Sequence, residues 1–548
     1  MINLVYKTED KKIEAMSECF YSDEEYEVYV DGEPKGEKAL SELLKEEEFD
    51  DVISELNGNF AIVVLDRRYG RLYMGRDRLG TKQLYYAVKE GEIVVSDHFK
   101  PCFEAMGCRV DKTALQHYFT FQYVPEPLTI GCGVYAVKAG FYALYDRKME
   151  TVKYNVWKPE PSIKADRSDF RKEIRKALRN SVRESLKGYE KPAAFLSGGL
   201  DSSILCALAA RENKNFTAYT IGFDVPGFSE AEVAARSAEY YGIKHEIIKL
   251  SAEDFKEAVP FAVQAMGVPV ADPSAVAVSL IAKAAAGKCD VILSGEGSDE
   301  LWGGYHVYNP RGKVLKIKAL PAPVKKLIWT FASHMKDDAN GKDFLRRGCV
   351  PLRDRFVGNT FLFTDAEKKT LLKNFNPAVK FTDITGPYYD QAAGLTEMDQ
   401  MQYIDTNLWF PGDINVVSGK GCSERGLNVA MPFTDNAVTD LARTLTKSEK
   451  LDGDQNKVIL REAFRQYITE EVKDGKKKGY PVPVRVWLSG ELNEWAREIV
   501  ESAPVDEYIN KEVAYQLLEK CKEEPQNPVY YRKAWAIVVF CVWMNQYA

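Results

Sequence analysis

Two short stretches of the sequence set carboxylates and small residues where a ligand could be held. Phe195 to Leu205 reads FLSGGLDSSIL, an apolar run, a glycine pair, then Asp201 among serines where a helical pattern begins. Gly198 and Gly199 remove side chains from a turn, so backbone N–H groups can approach an anion. Ser197, Ser202 and Ser203 add hydroxyl donors beside the positive end of the helix dipole. Such a seat suits phosphate or pyrophosphate. Asp201 is the odd member, because a carboxylate repels phosphates unless a cation lies between, and its economical role is a Mg2+ ligand. The second stretch, LSGEGSDELWGGY from Leu293 to Tyr305, follows another apolar run and carries Glu296, Asp299 and Glu300 among four glycines. Asp299 pairs with Asp201 as a second Mg2+ ligand. The Walker pattern and GxGxxG are both absent, so the glycine pair alone is weak, whereas the whole string SGGLDSS is specific.

Loops of this kind need buried strands behind them. AAFLS, FTAYTIGF, HEIIKL and CDVILSG read as strands, and they alternate with the helical patterns SSILCALAARE, SEAEVAARSAEYYG and AVSLIAKAAAG. That alternation predicts a parallel sheet covered by helices, with ligands beyond the carboxyl ends of its strands. Upstream, from about Asn57 to Tyr145, the short β-rich runs FAIVVLD, RLYMGRD, QLYYAV and EIVVSD predict an antiparallel, sandwich-like region. KPEPSIKADRSD reads as a linker, and from about Leu315 the chain is mostly helical. The expected class is α/β, with domains at 1–157 and 169–548 joined by a linker at 158–168.

The 548 residues carry a net charge of −7, which argues against a nucleic-acid partner held by bulk electrostatics. The start lacks the pattern of a signal peptide and no stretch approaches a membrane span, so a cytoplasmic protein without a membrane partner is expected. Ten scattered cysteines with no CxxC pair read as reduced, and the five histidines are not spaced as metal ligands.

SGGLDSS resembles the pyrophosphate loop of enzymes that cleave ATP to AMP and pyrophosphate. With SGEGSDELWGGY, ADPSAV, MPFTD, DQNKVILREAF and KKKGYPVPVRVWL, the chain resembles the asparagine synthetase family over most of Asn57 to the C-terminus. The resemblance implies an ATP pyrophosphatase fold with ATP on Leu196, Ser197, Gly198, Gly199, Asp201, Ser202, Ser203, Ile221, Gly222, Ser294 and Gly295, and Mg2+ on Asp201 and Asp299. It further implies Lys477 and Lys457 at the phosphates, Glu296 assisting the attacking amine, and Asp272, Ser274, Glu300 and Lys420 toward the substrate. A carboxylate, aspartate or a relative, would be adenylated and passed to ammonia or another amine. A homodimer is compatible with this.

The N-terminal strings LNGNFAIVVLD, GRDRLGTKQLYY and YFTFQYVPEP resemble the family's glutaminase domain, of the N-terminal-nucleophile type. That domain depends on an N-terminal cysteine whose own amine is its base. Here Met1, Ile2 and Asn3 open the sequence, Cys19 would need processing, and Asp31 of YVDGEPKG replaces the asparagine of a glutamine-binding turn. A relic without glutaminase activity is expected, needing a separate ammonia source, with a truncated gene model as the competing explanation. Val417 stands where the family has a basic residue, and Asn428, Val429 and Ala430 stand where it has Glu-x-Arg. Those losses leave open a ligase using an amine within a specialised substrate, as β-lactam synthetases and lasso-peptide cyclases do.

Overall fold

The computed structural model describes residues 1–36, 38–161, 169–310, 312–335, 339, 341–475 and 482–547. The N-terminal half is two antiparallel sheets face to face. One runs in the order Lys12–Ala15, Asn3–Lys7, Glu92–Ser96, Tyr85–Lys89, Val134–Ala136. The other runs Lys148–Lys153, Phe141–Asp146, Arg71–Arg76, Phe60–Asp66, Tyr26–Gly32, Tyr21–Ser22. Leu4 and Tyr6 of the first meet Val63, Leu65 and Met74 of the second in a dry layer, the expected result of alternating apolar residues on facing strands. Helices Leu40–Glu46 and Phe49–Glu55 cover one outer face, and Phe99–Ala105 and Lys112–Phe121 cover the other. Strands thus extend well upstream of Asn57. Segments such as Lys12–Ala15 bury a single residue and carry too little alternation to be read from sequence.

The C-terminal half is built on five parallel strands in the order Lys244–Leu250, Thr217–Phe223, Pro192–Phe195, Val291–Leu293, Asn428–Ala430. Strand order reverses between Pro192–Phe195 and Val291–Leu293, because the chain first builds outward on one side and then returns to the other. A crevice opens at such a switch point, beyond the carboxyl ends of the two strands. Helix Leu200–Glu212 is buried over most of its surface, which fits the unbroken apolar run ILCALAA. Residues 405–420 adopt π-helical turns, Asp405–Ile414 and Val416–Lys420, almost all buried.

The halves share a core. Tyr118 donates to the carbonyl of Ala536 at 2.7 Å in the C-terminal helix Pro528–Tyr547, and Trp543 of that helix meets Phe99 and Phe103 with its ring tilted 53° to each. Trp157 is fully buried and donates to the Thr439 carbonyl, while Glu160 pairs with Arg443. Among the described residues no helix is long and apolar enough to cross a membrane.

Candidate functional site

The strand Pro192–Phe195 delivers Ser197 to Ser202, and its neighbour Val291–Leu293 delivers Ser294 to Asp299, to the same crevice. Gly198 has φ +74° and turns the first loop so that its backbone faces the opening; a Cβ there would meet Val233 at 3.1 Å. The Ser202 hydroxyl accepts from the Ser197 amide at 3.1 Å and ties the loop to its own helix. Ser298 of the second loop donates to Asp201 Oδ1 at 2.7 Å, joining the two loops directly.

Asp201 and Asp299 converge on one point. Lys457 Nζ lies there, 2.6 Å from Asp201 Oδ2 and 2.7 Å from Asp299 Oδ1, with its side chain almost fully buried. Burial by itself would pull the ammonium down, but the two carboxylates outweigh it and hold Lys457 above the ordinary lysine range. Lys457 also has φ +56°, a left-handed conformation uncommon outside glycine, at the start of helix Val458–Ala463. Gly304 makes the arrangement possible, since a Cβ there would lie 1.7 Å from Asp299 Oδ1 and 2.4 Å from Lys457 Cε.

The crevice has a volume of about 350 Å³ and continues from these groups past Asp272, Ser274 and Glu296 to Tyr305, Trp409 and Ile414. Ser418, on the π-helical segment, donates to Glu296 Oε1 at 2.9 Å. Behind this wall Gln122 of the N-terminal half donates to Asp413 Oδ2 at 3.0 Å. Burial, and then the charge of Asp272 beside it, raises the Asp413 carboxyl well above its usual range. Glu300 is buried too and accepts from the Tyr305 hydroxyl at 2.6 Å; burial and the adjacent Asp299 push its carboxyl up.

Of the residues singled out from sequence, Ser197, Gly198, Gly199, Asp201, Ser202, Asp272, Ser274, Ser294, Gly295, Glu296, Asp299 and Lys457 line one cleft. Leu196, Ser203, Ile221 and Glu300 are buried beneath or beside it, and Gly222 is buried near the end of the neighbouring strand Thr217–Phe223. Lys420 is elsewhere: it lines a small separate pocket with Asp31, Thr81 and Lys82, close to Asp97 and His98. Lys477 falls outside the described residues. Val417 is packed in the core and Ala430 borders a different hollow, so neither substitution faces the cleft. Sequence reasoning missed Arg461, Asn456, Tyr305 and Trp409, which also line the cleft. Arg461 and Asn456 stand in the string DQNKVILREAF, where Lys457 alone attracted notice.

Two convergent carboxylates are a donor set that suits Mg2+ when phosphate oxygens and water complete its shell. Among the described residues no group of three or more histidine, cysteine or acidic side chains gathers as an all-protein metal cage.

The sequence matches two families, asparagine synthase over residues 173–545 and the glutamine amidotransferase domain over residues 39–157. Relatives include asparagine synthetase (glutamine-hydrolyzing) 1 of Bacillus subtilis strain 168, 32% identical over 97% of this chain and 82% of that protein. Asparagine synthetase (glutamine-hydrolyzing) 3 of the same organism is 24% identical over 82% of this chain and 71% of that protein. With two loops meeting at the sheet's switch point and a family match over more than half its length, the chain belongs to the asparagine synthase family and is an ATP-dependent, asparagine synthetase-like ligase.

Proposed function

We propose that the protein adenylates a small carboxylate, aspartate or a relative, releases pyrophosphate, and passes the acyl group to ammonia without hydrolysing glutamine itself. The observation that carries the first part is the convergence of Asp201, Asp299 and Lys457 at the switch point, opposite Glu296. The amides of the Gly198–Gly199 turn and the hydroxyl of Ser197 cradle the β- and γ-phosphates, and Lys457 places a fixed positive charge beside them. Asp201 and Asp299, which Lys457 bridges in this structure, are the residues that would hold Mg2+, and the ion would add further neutralisation for the departing pyrophosphate. The substrate carboxylate oxygen attacks the α-phosphorus, the α–β bridging bond breaks, and an acyl adenylate forms. Glu296, oriented by Ser418, takes a proton from the amine as its nitrogen attacks the acyl carbon and AMP leaves. Lys477 is kept as a further phosphate contact, on the strength of KKKGY alone.

The absence of glutaminase activity rests on the N-terminal half. The small pocket by Asp31 is lined by Lys82, Thr81 and Lys420 and holds no cysteine among its lining residues. Cys102 is buried with its thiol pushed up by desolvation, and Cys19 is exposed and donates to the carbonyl of Tyr21. None of these has the electropositive, accessible setting of a nucleophilic thiolate.

The test is an incubation with ATP, Mg2+ and a panel of carboxylates, with ammonia or glutamine as nitrogen source, reading pyrophosphate and amide. Aspartate or a close relative is expected to drive pyrophosphate release, with amide forming from ammonia and glutamine adding nothing. Glutamate appearing in step with amide would overturn the second part. Amide formed only with an amine built into the substrate would replace ammonia as the acceptor.

A further inference from the structure

Far from these loops, helix Ala322–Ser333, sequence APVKKLIWTFAS, keeps an apolar stripe in water. Val324, Leu327 and Phe331 recur at i, i+3 and i+7 and are 42%, 73% and 78% exposed, while Ala332 is the residue buried against the protein. A folded chain that buries its large apolar residues this thoroughly elsewhere does not leave such a stripe without reason. Leu315, on the preceding helix Lys313–Lys318, is half exposed as well.

The charge around the stripe is one-sided. Residues 312–335 contain five lysines and no acidic residue, in a chain whose total is −7. Lys318 is engaged by Glu397 and Lys325 by the Lys318 carbonyl, but Lys316 and Lys326 are exposed and have no ion pair among the described residues. Helix Lys342–Cys349, which packs against both of these helices, adds Lys342, Arg346 and Arg347 against a single acidic residue, Asp343.

We propose that helix Ala322–Ser333 is a docking surface for an anionic lipid bilayer, lying flat with Val324, Leu327 and Phe331 among the headgroups and lysines against the lipid phosphates. An apolar stripe beside a cationic rim is the pattern of an interfacial helix. Twelve residues span roughly 18 Å of helix, short of the roughly 30 Å hydrocarbon core, so the helix rests on the membrane and does not cross it. The expectation of no membrane partner was drawn from the lack of a spanning segment, which an interfacial helix does not need. A second copy of the chain is the poorer occupant: a two-fold interface sets this patch against itself, lysine facing lysine.

The experiment is flotation of the full-length protein with vesicles of phosphatidylcholine alone and of phosphatidylcholine mixed with phosphatidylglycerol. Binding is expected to the mixed vesicles, about tenfold above phosphatidylcholine alone, and to weaken as salt rises. A Leu327→Ser, Phe331→Ser double variant is expected to lose about tenfold in binding, with thermal midpoint and pyrophosphate release in solution unchanged because both side chains are exposed. Three results would overturn the proposal: no flotation with either vesicle, flotation untouched by the double variant, or a concentration-dependent dimer that the variant abolishes while vesicles bind neither form. Equal, variant-insensitive binding to soluble polyglutamate would also overturn it, in favour of an acidic protein partner.

Discussion

Lys457 combines a left-handed backbone, near-complete burial and two carboxylate partners, so its replacement leaves like charges facing each other in low dielectric. Lys457→Met is expected to lower pyrophosphate release by about 10²–10³-fold, the range seen for removing one preorganised charge donor. Gly304→Ala is a sharper check, because it touches neither carboxylate chemically yet puts a methyl group into the space of Asp299 Oδ1. It should match Asp299→Ala in lost turnover while far-ultraviolet circular dichroism stays that of the parent. Glu296→Gln should separate the two half-reactions: carboxylate-dependent ATP–pyrophosphate exchange persists, and amide formation falls about 10²–10⁴-fold. Much of this was legible because SGGLDSS and SGEGSDE are contiguous strings whose chemistry shows in the residue types. Lys457 apart, the partners from residues 405–461 were not legible, since Trp409, Ser418 and Arg461 reach the cleft only after long detours of chain.

The elements explain why. Three of the five parallel strands announce themselves as buried apolar runs, the edge strand Lys244–Leu250 buries only Leu250 but shows in HEIIKL, and their alternation with helices was enough to locate the ligand-bearing ends. The fifth, Asn428–Ala430, is three residues long and none is fully buried, so no periodicity marks it. The π-helical residues 405–420 have no sequence signature either; their register is set by what packs on them. Much of that packing comes from the N-terminal half. Asn415 donates to the carbonyls of Leu79 and Gly80, Gln83 donates to that of Pro411, and Tyr123 presses so closely on Gly412 that a Cβ there would lie 2.4 Å from its ring. Next to these contacts Arg78 binds Asp440 at 2.7 Å and Thr439 at 3.1 Å. The string GRDRLGTKQ, read from sequence as a mark of the glutaminase domain, thus also braces the segment that carries Trp409 and Ser418. Arg78→Ala is expected to cost about 0.5–1.5 kcal/mol in urea-unfolding stability, since the buried guanidinium's bonds to Thr439 and to the half-exposed Asp440 are lost while Thr439 keeps its bond to the Asn436 carbonyl. It should also lower kcat/KM for amide formation more than it lowers ATP–pyrophosphate exchange.

Over the whole molecule, one titrating contact joins the halves. His98 lies between Asp97 at 2.8 Å and Glu424 at 2.7 Å, and hydrogen bonds to these two carboxylates push its pKa up to about 9. A histidine in the unfolded chain titrates near ~6.5, so the folded protein holds the extra proton between the two values. The stabilisation is complete below about pH 6.5 and is lost as pH climbs through about 9. Thermal midpoints measured across that window should fall in the parent and fall less in His98→Gln. The helix Pro528–Tyr547 bears on a different matter, the order in which the chain is made. Its Trp543 and the carbonyl of Ala536 complete a layer begun by Phe99, Phe103 and Tyr118, synthesised some four hundred residues earlier. While the ribosome is still working, those aromatic side chains wait uncovered until this twenty-residue helix emerges and closes over them. A chain interrupted before this helix therefore keeps an open aromatic face for chaperones to hold, and is not merely a shorter enzyme.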